Sequence, residues 1–188
     1  MRFFAATRRF VRPAVVVIAC SVPVVASQQS VNRDAEVMAD FTARIGKYVE
    51  LRKKADDDAP KLKETQDPAK IRMGQQTLAE RIRSARAGAK QGDIFSPEIS
   101  AQFRKLLKSE AKAQGTKAAI HDDNPGKLLF NINGPYPDKE PLATVPPNVL
   151  QSLPPLPKDV DYRFVSKHLI LRDSRANLII DYIPNAIS

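Results

Sequence analysis

The chain reads as an α+β protein: about three amphipathic helices, then a proline-rich strap, then a C-terminal antiparallel β-hairpin. Three observations predict this. Apolar residues recur at intervals of three and four from Val31 to Leu107. Nine of the fifteen prolines lie between Asn124 and Pro157, where each fixes its own backbone and removes a hydrogen-bond donor. Beyond Asp161 the apolar period changes to two. Ahead of these stands a leader, so the sequence divides into residues 1–27, 28–115, 116–157 and 158–188.

The leader opens MRFFAATRRFVRP, with four arginines and no acid, and continues into the apolar run 14–26 before turning polar at Gln28-Gln29-Ser30. A basic flank, a short apolar stretch and small residues at its end are the layout of a secretory signal. Pro23 and the shortness of the run argue against a spanning helix, which needs about 20 apolar residues; a retained anchor is the competing reading. Two processing routes stay open. Val24-Val25-Ala26 suits cleavage near Ser27, whereas Val17-Ile18-Ala19-Cys20 is similar to a lipobox in which Cys20 is acylated. The expected location is the periplasm or outer envelope of a Gram-negative-type bacterium.

With 43% hydrophobic and 27% charged residues in 188, the chain is neither a membrane bundle nor a polyelectrolyte. After residue 27 it holds 26 basic against 21 acidic residues, and the excess sits in 28–120. That balance suits an acidic envelope partner or an anionic membrane surface. The interspersed acids Asp40, Glu50 and Glu80 also suit a solvated helix face. Nucleic acid is not an expected partner, since the basic residues are diluted by acids.

The first helix runs from Val31, with Met38, Phe41, Ile45 and Tyr48 on one stripe and Val37, Val49 and Leu51 beside it. Gly46 marks a close crossing or a weak point. Asp56-Asp57-Asp58-Ala59-Pro60 ends the helix. A second helix starts at Asp67-Pro68, an N-cap followed by proline at the first turn. Its seam is Ile71, Gln75, Leu78, Ile82, Ala85 and Ala89, and Gln91-Gly92-Asp93 supplies the stop. The third helix has Ser96 as N-cap, Pro97 at N1 and the stripe Ile99, Phe103, Leu106 and Leu107, fading by Gly115.

Within the strap, residues 127–132 suit a short strand or docking segment, and residues 145–150 include one helical turn. Tyr162-Arg163-Phe164-Val165 leads into the hairpin, whose strands are 168–172 and 178–183 around a polar turn. Leu169 and Leu171 face one way, together with Leu178, Ile180 and Tyr182. An isolated hairpin is marginal in water, so this one needs a neighbour.

The residues that could carry chemistry are few. A single cysteine excludes an internal disulfide framework, and the absence of Trp argues against an aromatic-lined groove. His121-Asp122-Asp123 is the densest set of potential metal ligands, with His168 and Asp173 as distant candidates. Asp56-Asp57-Asp58 lacks the glycine turn and distal glutamate of a calcium loop. No nucleophile elbow, phosphate-binding glycine loop or His-Glu-x-x-His pair is present. No cofactor is expected.

Two resemblances follow from particular residues. The stretch from Arg81-Ile82-Arg83-Ser84-Ala85-Arg86 to Ile94-Phe95-Ser96-Pro97-Glu98, taken with the terminal hairpin, resembles a group of exported bacterial proteins of unknown function. Leu153-Pro154-Pro155-Leu156-Pro157, Tyr162 to Val165, Leu169-Ile170-Leu171, Asp173 and Leu178 to Asp181 are together similar to the C-terminal part of periplasmic RcnB-like proteins. The second resemblance implies an envelope β module and a link to nickel and cobalt homeostasis. The leading expectation is a non-enzymatic envelope protein that binds an envelope partner or self-associates. The alternative is periplasmic metal-ion homeostasis or sensing.

Overall fold

The structure, a computed structural model, describes residues 25–58, 66–114, 130–136, 147–165 and 167–187. Helices α1 (Val25–Asp57), α2 (Pro68–Ala85), α3 (Pro97–Gln114) and α4 (Pro147–Ser152) precede strands β1 (Val160–Val165), β2 (His168–Asp173) and β3 (Leu178–Ile183). The strands form an antiparallel sheet in the order β1-β2-β3. The β unit therefore has a third strand: residues expected only to lead into the hairpin pair fully with β2, from Val160 opposite Asp173 to Val165 opposite His168. Val160, Tyr162 and Phe164 already alternate at the strand period and face the helices.

The helices follow their stripes. In α1, Phe41, Ile45, Tyr48 and Ala55 are buried, with Val37, Met38, Val49 and Leu51 at the margins. In α2 the N-cap Asp67 accepts a hydrogen bond from the Ala69 N–H at 2.9 Å. In α3 the Ser96 hydroxyl accepts from the Ile99 N–H and donates to Glu98, while Ile99, Phe103 and Leu107 are buried. Phe41, Phe95 and Phe103 pack ring against ring at 5.0–5.6 Å, and Tyr162 of β1 reaches Phe103 at 6.0 Å. Helices and sheet thus share one core. Three seam positions fall away from it: Ile71 is exposed in the first turns of α2, and α2 ends at Ala85, well before Gln91-Gly92-Asp93. The exposed Ala85 and the extra-helical Ala89 take no part in the seam.

The sheet is buried on both faces. Leu169, Leu171, Leu178, Ile180 and Ile183 meet the helices. Val165, Ile170 and Ile179 form a smaller cluster on the other side with Tyr136, Phe130 and Tyr182. Tyr182 was expected beside Leu178 and Ile180; a β-bulge moves it. Leu171 pairs with Asp181 and Arg172 with Ile179, so Ile180 is an extra residue. Ile180 and Asp181 both turn toward the helices, and Tyr182 is displaced to the opposite face.

Two described pieces of the proline-rich stretch dock on this body. Asn133 donates to the Ile179 carbonyl, Ile179 donates to the Gly134 carbonyl, and Tyr136 donates to the Asn177 carbonyl, each at 2.9 Å. These bonds cover the free edge of β3. Farther on, Val149 and Leu153 enter the core, and the Tyr162 hydroxyl donates to the Pro154 carbonyl. The remaining strap residues lie outside the described residues.

Two glycines give opposite expectations. A methyl group on Gly46 meets nothing within 4 Å, so the residue is a weak point and not a helix crossing. A methyl group on Gly134 falls 2.8 Å from the Asn131 carbonyl oxygen. Gly46→Ala should stabilise the protein by about 0.5–1 kcal/mol. Gly134→Ala should destabilise it by disturbing the β3-edge bonds; urea denaturation of the two variants reads both signs.

Candidate functional site

The residues with the most chemical potential are two fully buried carboxylates, Asp173 and Asp181, each 0% exposed. Asp181 lies in the apolar run of β3, turned toward the helices by the bulge. Its Oδ1 accepts from the N–H groups of Gly92 and Tyr182, and its Oδ2 from those of Ile94 and Phe95, at 2.8–3.0 Å. Gly92 has φ 93°, a backbone conformation suited to glycine that aims its N–H at the carboxylate. At the end of β2, Asp173 Oδ1 accepts from the N–H groups of Arg175 and Ala176, shaping the β2–β3 turn. Its Oδ2 accepts from the Tyr48 hydroxyl at 2.7 Å and lies 3.5 Å from Arg52 Nη1. A carboxylate has about four lone-pair sites; Asp181 fills four with N–H donors, and Asp173 fills three and has the Arg52 guanidinium beside it. Both carboxylates organise the fold.

Around Tyr48 the polar contacts form a chain between elements. The Arg86 guanidinium lies over the Tyr48 ring, 5.2 Å from its centroid. It donates to Asn133 Oδ1 at 2.8 Å and to the Ile180 carbonyl at 3.2 Å. Asn133 Nδ2 donates back to the Arg86 carbonyl, and Arg83 Nε donates to the Asn133 carbonyl. Asn133 holds φ 60°, which asparagine tolerates better than most residues. Burial, reinforced by the neighbouring Asp173, pushes the Tyr48 hydroxyl well above its ordinary pKa, and burial lowers that of Arg86. Tyr48 therefore stays protonated and acts as a hydrogen-bond donor.

Above this chain lies the open surface. Between α1 and α2 is a concavity of about 570 Å³ whose lining includes Leu51, Ala55, Thr77 and Ser84, with Lys54 and Arg81 among its charged residues. A second, of about 350 Å³, is lined by Arg44, Lys47, Tyr48, Arg86 and Ile94, with Leu51 common to both. Together they make a groove along α1 from Asp40 to Asp58, roughly 27 Å long at the rise of a helix. The floor is apolar. Its charged rim carries both signs, and Arg44 is held by Asp40 and by the Asp93 carbonyl.

No family model matches this chain, and neither does any curated protein or solved structure.

The residues singled out as metal ligands do not assemble among the described residues. His168 begins β2 and Asp173 ends it, about 17 Å apart at the rise of a strand. The His168 ring stands edge-on to Phe130 at 5.3 Å, and its Nδ1 accepts from the Asn185 N–H at 3.4 Å. Asp56 pairs with Arg175 at 2.8 Å, while Asp58 lines the groove. No group of three or more His, Cys, Asp or Glu is placed to hold a metal among the described residues. Cys20 and His121-Asp122-Asp123 lie outside them. The residues that sequence reasoning passed over are Asp181, Asn133 and Arg86. Asp181 had a visible signal, an acid within Leu178–Ile183 where every other residue is apolar.

Asp181→Asn turns an amide N–H₂ toward donors and should cost about 3 kcal/mol or more of stability, measured by urea denaturation. His168 gives a pH signature. Burial holds its imidazole below the ordinary value, so the unfolded chain binds the proton first as pH falls. Its contribution is complete above about pH 6.5 and declines on acidification. His168→Gln should therefore lose less stability than the parent between pH 7.5 and 5.

Proposed function

We propose that this is an exported protein of the bacterial envelope that works by binding, and that the α1–α2 groove is its contact surface. The observation carrying this reading is the groove itself: two adjoining concavities with an apolar floor of Tyr48, Leu51 and Ala55, framed by charges. Its length suits an amphipathic helix or extended segment of a partner, a recognition mode in which apolar anchors supply affinity and rim charges set register. The leader's arginine flank and short apolar run support export. The engagement of Asp173 and Asp181 by the fold supports a role in which shape matters more than reactive groups. No described helix is long and apolar enough to cross a membrane.

Two measurements test the reading. Fractionation of expressing cells should recover the chain in the envelope with its N-terminus near Ser27. A photo-crosslinking residue at Ser84, in the groove, should give a discrete adduct in native envelopes, whereas one at the exposed Gln76 should not. Ala85→Trp, which fills the groove from an exposed position, should abolish the adduct. An intact chain in the cytosol, or equal adducts from both positions, would count decisively against the proposal.

A further inference from the structure

Asn133-Gly134 is the one Asn-Gly pair in the chain, and such a pair has a chemistry of its own. The glycine backbone nitrogen, once deprotonated, attacks Cγ of the preceding asparagine. The N–Cγ bond forms, the Cγ–Nδ2 bond breaks, and ammonia leaves behind a succinimide ring. Water then opens the ring at either carbonyl, giving aspartate or an isoaspartate whose backbone runs through the former side chain. Glycine favours the first step because it sets no side chain beside the attacking nitrogen and lets the backbone turn freely.

In the folded chain the groups that this reaction uses are engaged. The Asn133 side-chain amide is held at both ends: Oδ1 accepts from Arg86 Nη1 at 2.8 Å, and Nδ2 donates to the Arg86 carbonyl at 2.9 Å. The nucleophile is tied as well. The Gly134 N–H donates to the Asn131 carbonyl at 2.9 Å, a bond that favours the protonated nitrogen. The Asn133 N–H and the Gly134 carbonyl are both bonded to Ile179 at 2.9 Å, and Pro135 stands opposite Leu178, so the backbone around the reacting atoms is pinned to β3. Arg83 Nε holds the Asn133 carbonyl at 3.0 Å. Closing Cγ onto the Gly134 nitrogen breaks the amide contacts and the turn bond together.

We propose that Asn133-Gly134 is a latent deamidation site, guarded by the docking of residues 130–136 on Arg86 and the β3 edge, and that isoaspartate formed there keeps the edge open. Isoaspartate adds the Asn133 methylene to the backbone. The two bonds to Ile179, spaced for an ordinary peptide unit, then no longer fit together. Nor does the product carry the Nδ2 donor that bonds the Arg86 carbonyl. Segment 130–136 cannot close as before, and β3 is left with N–H and C=O groups free to pair elsewhere. The reaction consumes only water, and the proposal adds to the groove reading without resting on it.

Peptide mass spectrometry of the full chain, kept in mildly alkaline buffer with and without denaturing guanidinium chloride, tests this. Trypsin releases residues 128–139, in which Asn131 is an internal control because β-branched Ile132 crowds the nitrogen that would attack it. In denaturant Asn133 should lose its amide while Asn131 keeps it, with isoaspartate the major product. The native chain should react at least about tenfold more slowly, as expected of a segment that must first open locally. Arg86→Met should raise the native rate severalfold with its far-UV circular dichroism retained. If that variant unfolds, the parent in sub-denaturing guanidinium gives the same comparison, its rate rising together with hydrogen exchange at the Ile179 amide. In the purified isoaspartyl protein that amide should exchange faster than in the parent. Equal rates in native and denatured chains, a native rate that ignores the opening of the Ile179 amide, or isoaspartyl protein with full protection at Ile179 overturns the proposal.

Discussion

The structure depends on one constraint: a buried carboxylate must find hydrogen-bond donors or it destabilises the fold by several kcal/mol. Asp181 meets it by drawing three backbone N–H groups from the α2–α3 connection, and Asp173 by drawing two from its own turn and one hydroxyl from α1. These demands link elements that hydrophobic packing alone would leave free to slide. The bulge at Ile180 belongs to the same arrangement. Without the extra residue, the carboxylate and the Ile180 side chain could not both turn inward.

A second set of contacts locks the opposite corner. Tyr48 touches Asp173 through its hydroxyl and Arg86 through its ring, and Arg86 continues to Asn133 and β3. The segment around Asn133 is in turn hydrogen-bonded to the edge of β3. Helices, sheet and part of the proline-rich stretch therefore converge on Tyr48, a residue whose stripe position alone marks it as ordinary core. Its aromatic body serves the core while its hydroxyl serves the polar chain.

Much of this was legible in local chemistry. The stripe of α1, the caps at Asp67 and Ser96, and the short helix among the prolines all follow from spacing and capping residues that tertiary contacts do not oppose. The end of α2 was not legible. Its seam continues to Ala89, yet the N–H groups beyond it are recruited by Asp181, some 90 residues away in the chain, and that pull overrides helical propensity. Tyr182 was misplaced for a related reason, since strict alternation carries no trace of a bulge that exists to aim a neighbouring acid. The groove had no local signature either, because its walls come from α1, α2 and the α2–α3 connection.

The allocation of charge between interior and surface bears on function. Groups able to act as acids, bases or ligands are most reactive when buried with unmet valence, and the two fully buried carboxylates, Asp173 and Asp181, are tied into the fold through both of their oxygens. What faces solvent is a long apolar-floored groove edged by both signs of charge, and beyond it the uncovered start of α2. Surfaces of that kind discriminate by shape and by charge register. A partner with the wrong pattern would have to bury rim charges without counter-ions, a cost that repels it more strongly than any single contact attracts the right one.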